Sequence, residues 1–222
     1  MPTHPVPPHD LSPPPAPRSA RAEVLAAAAE LFTRDGYPAT TTRAVAERAG
    51  IRQSTLYHHF ASKDDILATL LECTVAPSLA YAQRLLAGSE PVPGARLWAL
   101  VRFDTDLLLS GLSNLLALHQ LPEVRGERFA GFRETRCQKA AAYRELIATL
   151  EPSDPLSEAE LHLRAELVLG LVEGSVAVVR ECTRQESRLT PEAVADAAVR
   201  LAAGDGCPPE RLALVRTGAR IL

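Results

Sequence analysis

The sequence predicts an all-α protein, with a three-helix head near the N-terminus followed by a helical-bundle body. Three observations predict it. Ala, Leu and Val are abundant while aromatics make up only 5% of the chain, a composition that favours helix over sheet. Apolar residues recur at helical spacing, and no stretch alternates with the period of a strand. Gly, Pro and hydroxyl side chains stand where helices need stops and caps. At 222 residues and 46% hydrophobic content, the chain is long enough for a sizeable core.

Residues 1–17 are rich in proline, which denies them helix and ladder hydrogen bonds, so they are expected to form a disordered tail. The first helix begins near Ser19. Val24, Leu25, Ala28, Leu31 and Phe32 form one apolar face, and Asp35-Gly36 ends it. A Thr run, Thr40 to Thr42, offers a cap for a second helix to about Ala49, which buries Val45, Ala46 and Ala49. Gly50 makes a turn. A third helix, from about Gln53 to Phe60, buries Leu56 and Phe60. Ser62 caps a long fourth helix to about Ala87, with Asp64 and Asp65 where the helix dipole favours negative charge.

A linker, Gly88 to Gly94, precedes helices expected over about Ala95 to Ser110, Leu112 to Leu121, Glu123 to Leu150, Glu158 to Arg184 and Pro191 to Ala203. Ser157 and Glu160 make a capping box, and Thr190 with Pro191 caps the last of these helices. The expected division is a tail over 1–17, a head over 18–64, a body over 65–204 and a C-terminal tail over 205–222 with a further turn or two.

Charge separates the parts. From Arg18 to Lys63 there are seven Lys/Arg against four Asp/Glu, whereas from Asp64 onward there are 17 against 22. A basic head on an acidic body suits a nucleic-acid-binding module joined to a regulatory one. Other classes find little support. No secretory leader and no apolar run of membrane-spanning length is legible, which points to the cytoplasm. Cys73, Cys137, Cys182 and Cys207 lie far apart without a zinc spacing, so no metal and no cofactor is expected. No nucleophile elbow or phosphate loop suggests an enzyme.

The functional motif is Thr40 to Lys63, two short helices joined at Gly50, which is the form of a helix-turn-helix. The first helix braces the second, which is slim enough for a major groove about 12 Å wide. Side chains not needed for the core face outward: Arg52, Gln53, Ser54, Thr55, Tyr57, His58 and His59. Tyr57 could instead be a half-buried core aromatic, and Arg43 and Arg52 could be plain solvated charge. His58 and His59 could be a metal pair, but adjacent helical residues point about 100° apart and no third ligand is near.

The ordered run Gly36-Tyr37-x-Ala39-Thr40-Thr41, Val45-Ala46-x-x-Ala49-Gly50-Ile51 and Thr55-Leu56-Tyr57-x-His59-Phe60-x-Ser62-Lys63 resembles the signature of the tetracycline-repressor family. The likeness covers about Ala22 to Leu67. It implies that Tyr57, His59 and Lys63 contact phosphates. It also implies that Thr41, Thr42 and Arg43 meet the backbone or a base, and that Arg52, Gln53, Ser54, Thr55 and His58 read bases. Arg52-Gln53-Ser54 departs from the Ser-Lys-Gly often found there, so no known operator can be carried over.

The resemblance further implies a homodimer, with a four-helix interface from the last two long helices, that binds a palindromic operator in double-stranded DNA and is released by a small-molecule effector. An effector-independent architectural DNA-binding protein is the alternative. Within the body, Gly170 and Gly174 form a smooth groove fit either for a partner helix or for the chain's own packing. Val194 and Ala198 lie on a small-residue face suited to pairing. Trp98, Phe103, Asn114, His119 and Phe132, with Phe129 and Tyr143, are candidates for an effector cavity or for plain core. Arg125, Arg128, Arg133 and Arg136 read as a stripe on one helix, either a solvated face or a seat for an acidic effector.

Overall fold

The computed structural model describes residues 19–89, 91–109, 113–150, 156–181, 189–204, 209–220 and 222. The expected N-terminal tail, Gly111, Pro152 to Pro155, Cys182, Arg184 and Cys207 lie outside the described residues.

The head holds α1 (Ala20–Arg34), α2 (Thr42–Arg48) and α3 (Gln53–His59). Each start has a local cause. The Ser19 hydroxyl accepts the Ala22 amide at 3.3 Å, and the Thr41 hydroxyl accepts that of Ala44 at 3.1 Å. Gly36 and Gly50 have φ of +87° and +68°, the left-handed conformation that lets the chain turn out of α1 and between α2 and α3. The Thr40 hydroxyl donates to the Gly36 carbonyl at 2.9 Å and closes the first turn. Ser62 then caps α4 (Lys63–Ala87), its hydroxyl accepting the Asp65 amide at 3.1 Å.

The body adds α5 (Ala95–Leu107), α6 (Ala130–Ala148), α7 (Glu158–Glu181), α8 (Pro191–Ala203) and α9 (Pro209–Ala219). Every regular element among the described residues is helical.

The chain between α5 and α6 differs from the expected pair of helices. Ser113–Gln120 is 3₁₀ helix, as are Pro122–Arg125 and Glu127–Phe129. Pro122 starts a turn and Gly126 is extended (φ −66°, ψ 161°), so continuous α-helix begins only at Ala130. Arg125 and Arg128 therefore do not share a helix with Arg133 and Arg136. The stretch expected to be a C-terminal tail instead contains α9, which buries Leu212 and Val215.

Two cores form, and α4 belongs to both. The first gathers Val24, Leu31 and Phe32 of α1, Val45 of α2, Leu56 of α3 and Ile66 of α4. It continues into Leu115, Leu118, Val124 and Phe129 of the 3₁₀ segment. The second joins Leu85 of α4 to Leu97, Tyr143, Val168, Val194 and Val215. The head thus rests on the body through shared apolar contact rather than through a linker.

Candidate nucleic-acid interface and effector cavity

The α2–α3 unit keeps Val45, Ala46 and Leu56 inside and leaves a polar surface outside. Thr42 Oγ1 lies 3.0 Å from Tyr57 Oη and accepts from Gln53 Nε2 at 3.4 Å, so the start of α2 and the face of α3 form one surface. Tyr57 is 48% exposed, which places it on that surface and not in the core. Thr41, Arg43, Arg52, Gln53, Ser54, His58 and His59 are exposed, and Thr42 and Thr55 are half-buried. Arg43 is engaged one turn along by Glu47 at 2.8 Å, and that carboxylate raises its guanidinium pKa further. Arg48 reaches across to Glu30 of α1 at 2.5 Å and braces the unit from behind.

Lys63 is placed differently from the expected phosphate contact. Its ammonium donates to the Tyr37 carbonyl at 2.9 Å and the Thr40 carbonyl at 3.0 Å, and lies 4.2 Å from the centre of the Tyr37 ring. The start of α4 puts a long cation beside carbonyls of the α1–α2 turn, and those acceptors take it inward. Tyr37 also donates to Asp64. Burial, then Asp64, then Glu123 push this phenol above its ordinary range.

The dimer candidates divide. Val194 and Ala198 are buried in the body core, where the apolar face of α8 meets α5, so they are corrected to core residues. Trp98 Nε1 donates to Asp196 Oδ1 at 2.9 Å and fixes that packing, and Arg216 of α9 pairs with the same carboxylate. Gly170 and Gly174 face open space, since a Cβ on either would meet nothing within 4 Å. On the same helix Leu163, Leu167 and Val178 are 52%, 49% and 46% exposed. Their spacing with the glycines (i, i+4, i+7, i+11, i+15) makes an apolar face along α7 that no described residue covers. Leu163 and Leu167 are not among the sequence candidates because an apolar residue in a helix is ordinarily core; their seven-residue offset from Gly170 and Gly174 is the signal that points to them.

The effector candidates also separate. His119 and Phe132 come together, ring centres 4.9 Å apart, in the wall of a cleft of about 470 Å³ between α4, the 3₁₀ segment, α6 and α7. Thr74 holds His119 Nε2 at 2.9 Å. Burial, with Arg136 and Lys139 nearby, depresses the imidazole to about 4, so it is neutral at physiological pH. Trp98 lines a separate groove between α5, α8 and α9. Phe103 packs on Tyr81 with ring centres 4.7 Å apart, and Phe129 and Tyr143 are core. The Asn114 side chain lies outside the described residues.

The cleft also holds Arg125, Arg133 and Arg136 of the expected arginine stripe, together with Lys139 and Glu173, which are not among the sequence candidates. Lys139 lines it, with its ammonium 2.6 Å from the buried Asp104. Arg136 pairs with Glu173 of α7 at 3.2 Å. Leu121 lines both this cleft and a second groove that contains Phe32 and Tyr37 of the head.

A helix-turn-helix with an exposed second helix, set on a helical body that encloses a cleft, defines a DNA-binding regulator class. The family model for bacterial regulatory proteins of the tetR family matches residues 24–70. The solved structure of Mycobacterium smegmatis AmtR is 39% identical over 94% of this chain and 97% of that one, with a TM-score of 0.77. The transcriptional repressor KstR2 of Mycobacterium tuberculosis H37Rv is 49% identical over 53 residues, 24% of this chain. That match spans only 26% of the repressor's length. AibR, solved with isovaleryl coenzyme A and operator DNA, shares the fold at a TM-score of 0.64 and 20% identity over 82% of this chain and 97% of that one. The chain belongs to the TetR family, a family of regulators rather than enzymes.

Proposed function

We propose that this protein is a homodimeric, sequence-specific transcriptional repressor of the cytoplasm, released from a palindromic operator by a small-molecule effector. The observation that carries the reading is the surface joined through Thr42, Gln53 and Tyr57, whose side chains are spent on no core. In this reading α3 enters the major groove. Gln53, with two donors and an acceptor, matches adenine N6/N7, and Arg52 matches guanine O6/N7. Tyr57, His59 and Thr41 hold phosphates, and Arg43, Ser54, Thr55 and His58 flank the readers. The exposed α7 face supports pairing with a second copy, because apolar side chains beside glycines let two helices approach closely.

Effector control follows from the double use of the 3₁₀ segment. Its Leu115 and Leu118 pack in the head core, while His119, Val124 and Arg125 line the cleft. Arg128 pairs with Asp65 at the start of α4, a second tie to the head. An effector that fits the cleft in only one setting of this segment shifts the spacing of the two α3 helices and lowers operator affinity.

The test is selection of DNA from a random pool, followed by salt titration of the winner. The expected winner is a palindrome with half-sites about 34–36 Å apart or a multiple of that, bound with affinity falling steeply in salt. Enrichment of bent or A·T-rich DNA without a palindrome would replace the reading with an architectural one.

A further inference from the structure

The cleft between α4, α6 and α7 carries an excess of positive charge in a body that is otherwise acidic. Arg125, Arg133, Arg136 and Lys139 line it, against Glu166 and Glu173. Among the described residues neither Arg125 nor Arg133 is paired with a carboxylate; Arg133 donates to the carbonyls of Val124 and Gly126 at 2.8 and 2.7 Å. The two pairs that do exist differ in kind. Lys139 and Asp104 are both buried, and Tyr143 donates to the same carboxylate at 2.7 Å, so that pair is held in place. Arg136 and Glu173 are a partly exposed pair at 3.2 and 3.4 Å, a weak contact that a competing anion can replace with little loss. Apolar surface lies beside them: Val75, Leu121, Val124, Phe132 and Leu169.

From this arrangement we infer that the effector is a small organic anion, a carboxylate or phosphate ester on an apolar body, that takes Arg136 from Glu173. The inference rests on the reading of this cleft as the effector site. The anion sits between Arg136 and Arg125 with Lys139 behind, and the apolar part lies on Phe132, Val75 and Val124. His119, neutral and held by Thr74, adds a ring edge and no competing charge. Exchange of Glu173 for the ligand also removes the ion pair that ties α7 to α6, and Glu173 stands between Gly170 and Gly174 on the helix whose outer face no described residue covers. Anion binding is thereby coupled to the helix proposed to pair the two copies.

The full chain is titrated with hexanoate, hexyl phosphate, and neutral hexanamide and hexanol, by calorimetry and by release of the selected operator. At least one anion is expected to bind, and the neutral compounds to bind about tenfold more weakly. Arg136→Gln weakens the anion about tenfold. Glu173→Gln tightens it, since the internal competitor is gone; a pair with a purely structural role gives no such gain. Which anion wins distinguishes carboxylate from phosphate.

Equal binding of hexanamide, no binding of either anion to the natural chain or to Glu173→Gln, or weaker binding by Glu173→Gln would overturn the inference. An anion that binds with these variant effects yet leaves operator affinity unchanged upholds the anion site and overturns the effector reading. Operator release by a neutral compound alone does the reverse.

Discussion

Lys63 shows how a single residue can have its role decided by its surroundings. Its two carbonyl acceptors and the Tyr37 ring tie α4 to the α1–α2 turn. Lys63→Ala leaves the Tyr37 and Thr40 carbonyls without that donor and is expected to lower stability by about 1–3 kcal/mol. Tyr57→Phe removes only the hydroxyl on the exposed face and should leave stability within about 0.5 kcal/mol while weakening binding to every DNA sequence alike. Urea denaturation beside filter binding separates the two. A Lys63→Ala protein of unchanged stability with weakened DNA binding would return the residue to the phosphate contacts. The spacing of Lys63 after Ser62 was legible in the sequence, but the carbonyls that take its ammonium inward lie 23 and 26 residues earlier. Only the closed turn brings them near.

At the scale of elements, α7 and α8 play different parts although their sequences suggest the same one. Both carry small residues at helical spacing, and neither sequence says which face meets its own chain. In the structure α8 lies against α5 and buries Val194 and Ala198, while α7 leaves Leu163, Leu167, Gly170 and Gly174 outside. Leu167→Glu places a charge on the outer face and is expected to convert the proposed dimer to monomer in sedimentation at micromolar concentration, with the monomer still helical. Val194→Ala should instead lower stability by about 2 kcal/mol, through lost burial and a small cavity, without changing the association state. The reverse pattern would move the interface to α8. The 3₁₀ stretch departs from the expected pair of helices for a local reason. Its apolar residues follow a helical pattern, but Pro122 and the extended Gly126 break the α-helical ladder before Ala130.

For the whole molecule, the decisive feature is that α4 contributes to both cores and the 3₁₀ segment seals the head onto the body. Head and body should therefore unfold in one transition. Trp98, the single tryptophan, is buried in the body core, so its fluorescence reports the body while far-ultraviolet circular dichroism reports all helices. The two signals are expected to coincide in denaturant. An earlier loss of helix with Trp98 still buried would mean that the head melts alone and that the boundary near residue 64 is a real hinge.

By itself the sequence determined the all-helical class, the caps, the turns at Gly36 and Gly50, and the exposed face of α3. These depend on local chemistry: a hydroxyl one turn from an amide, a residue that tolerates positive φ, and a period of apolar side chains. Tertiary structure decided which apolar faces are core, which cation is internal, and which aromatic residues share a cleft. Those outcomes depend on pairs distant in the chain, such as Trp98 with Asp196, Lys139 with Asp104 and Arg136 with Glu173, and a one-dimensional pattern carries the residue types without the partners.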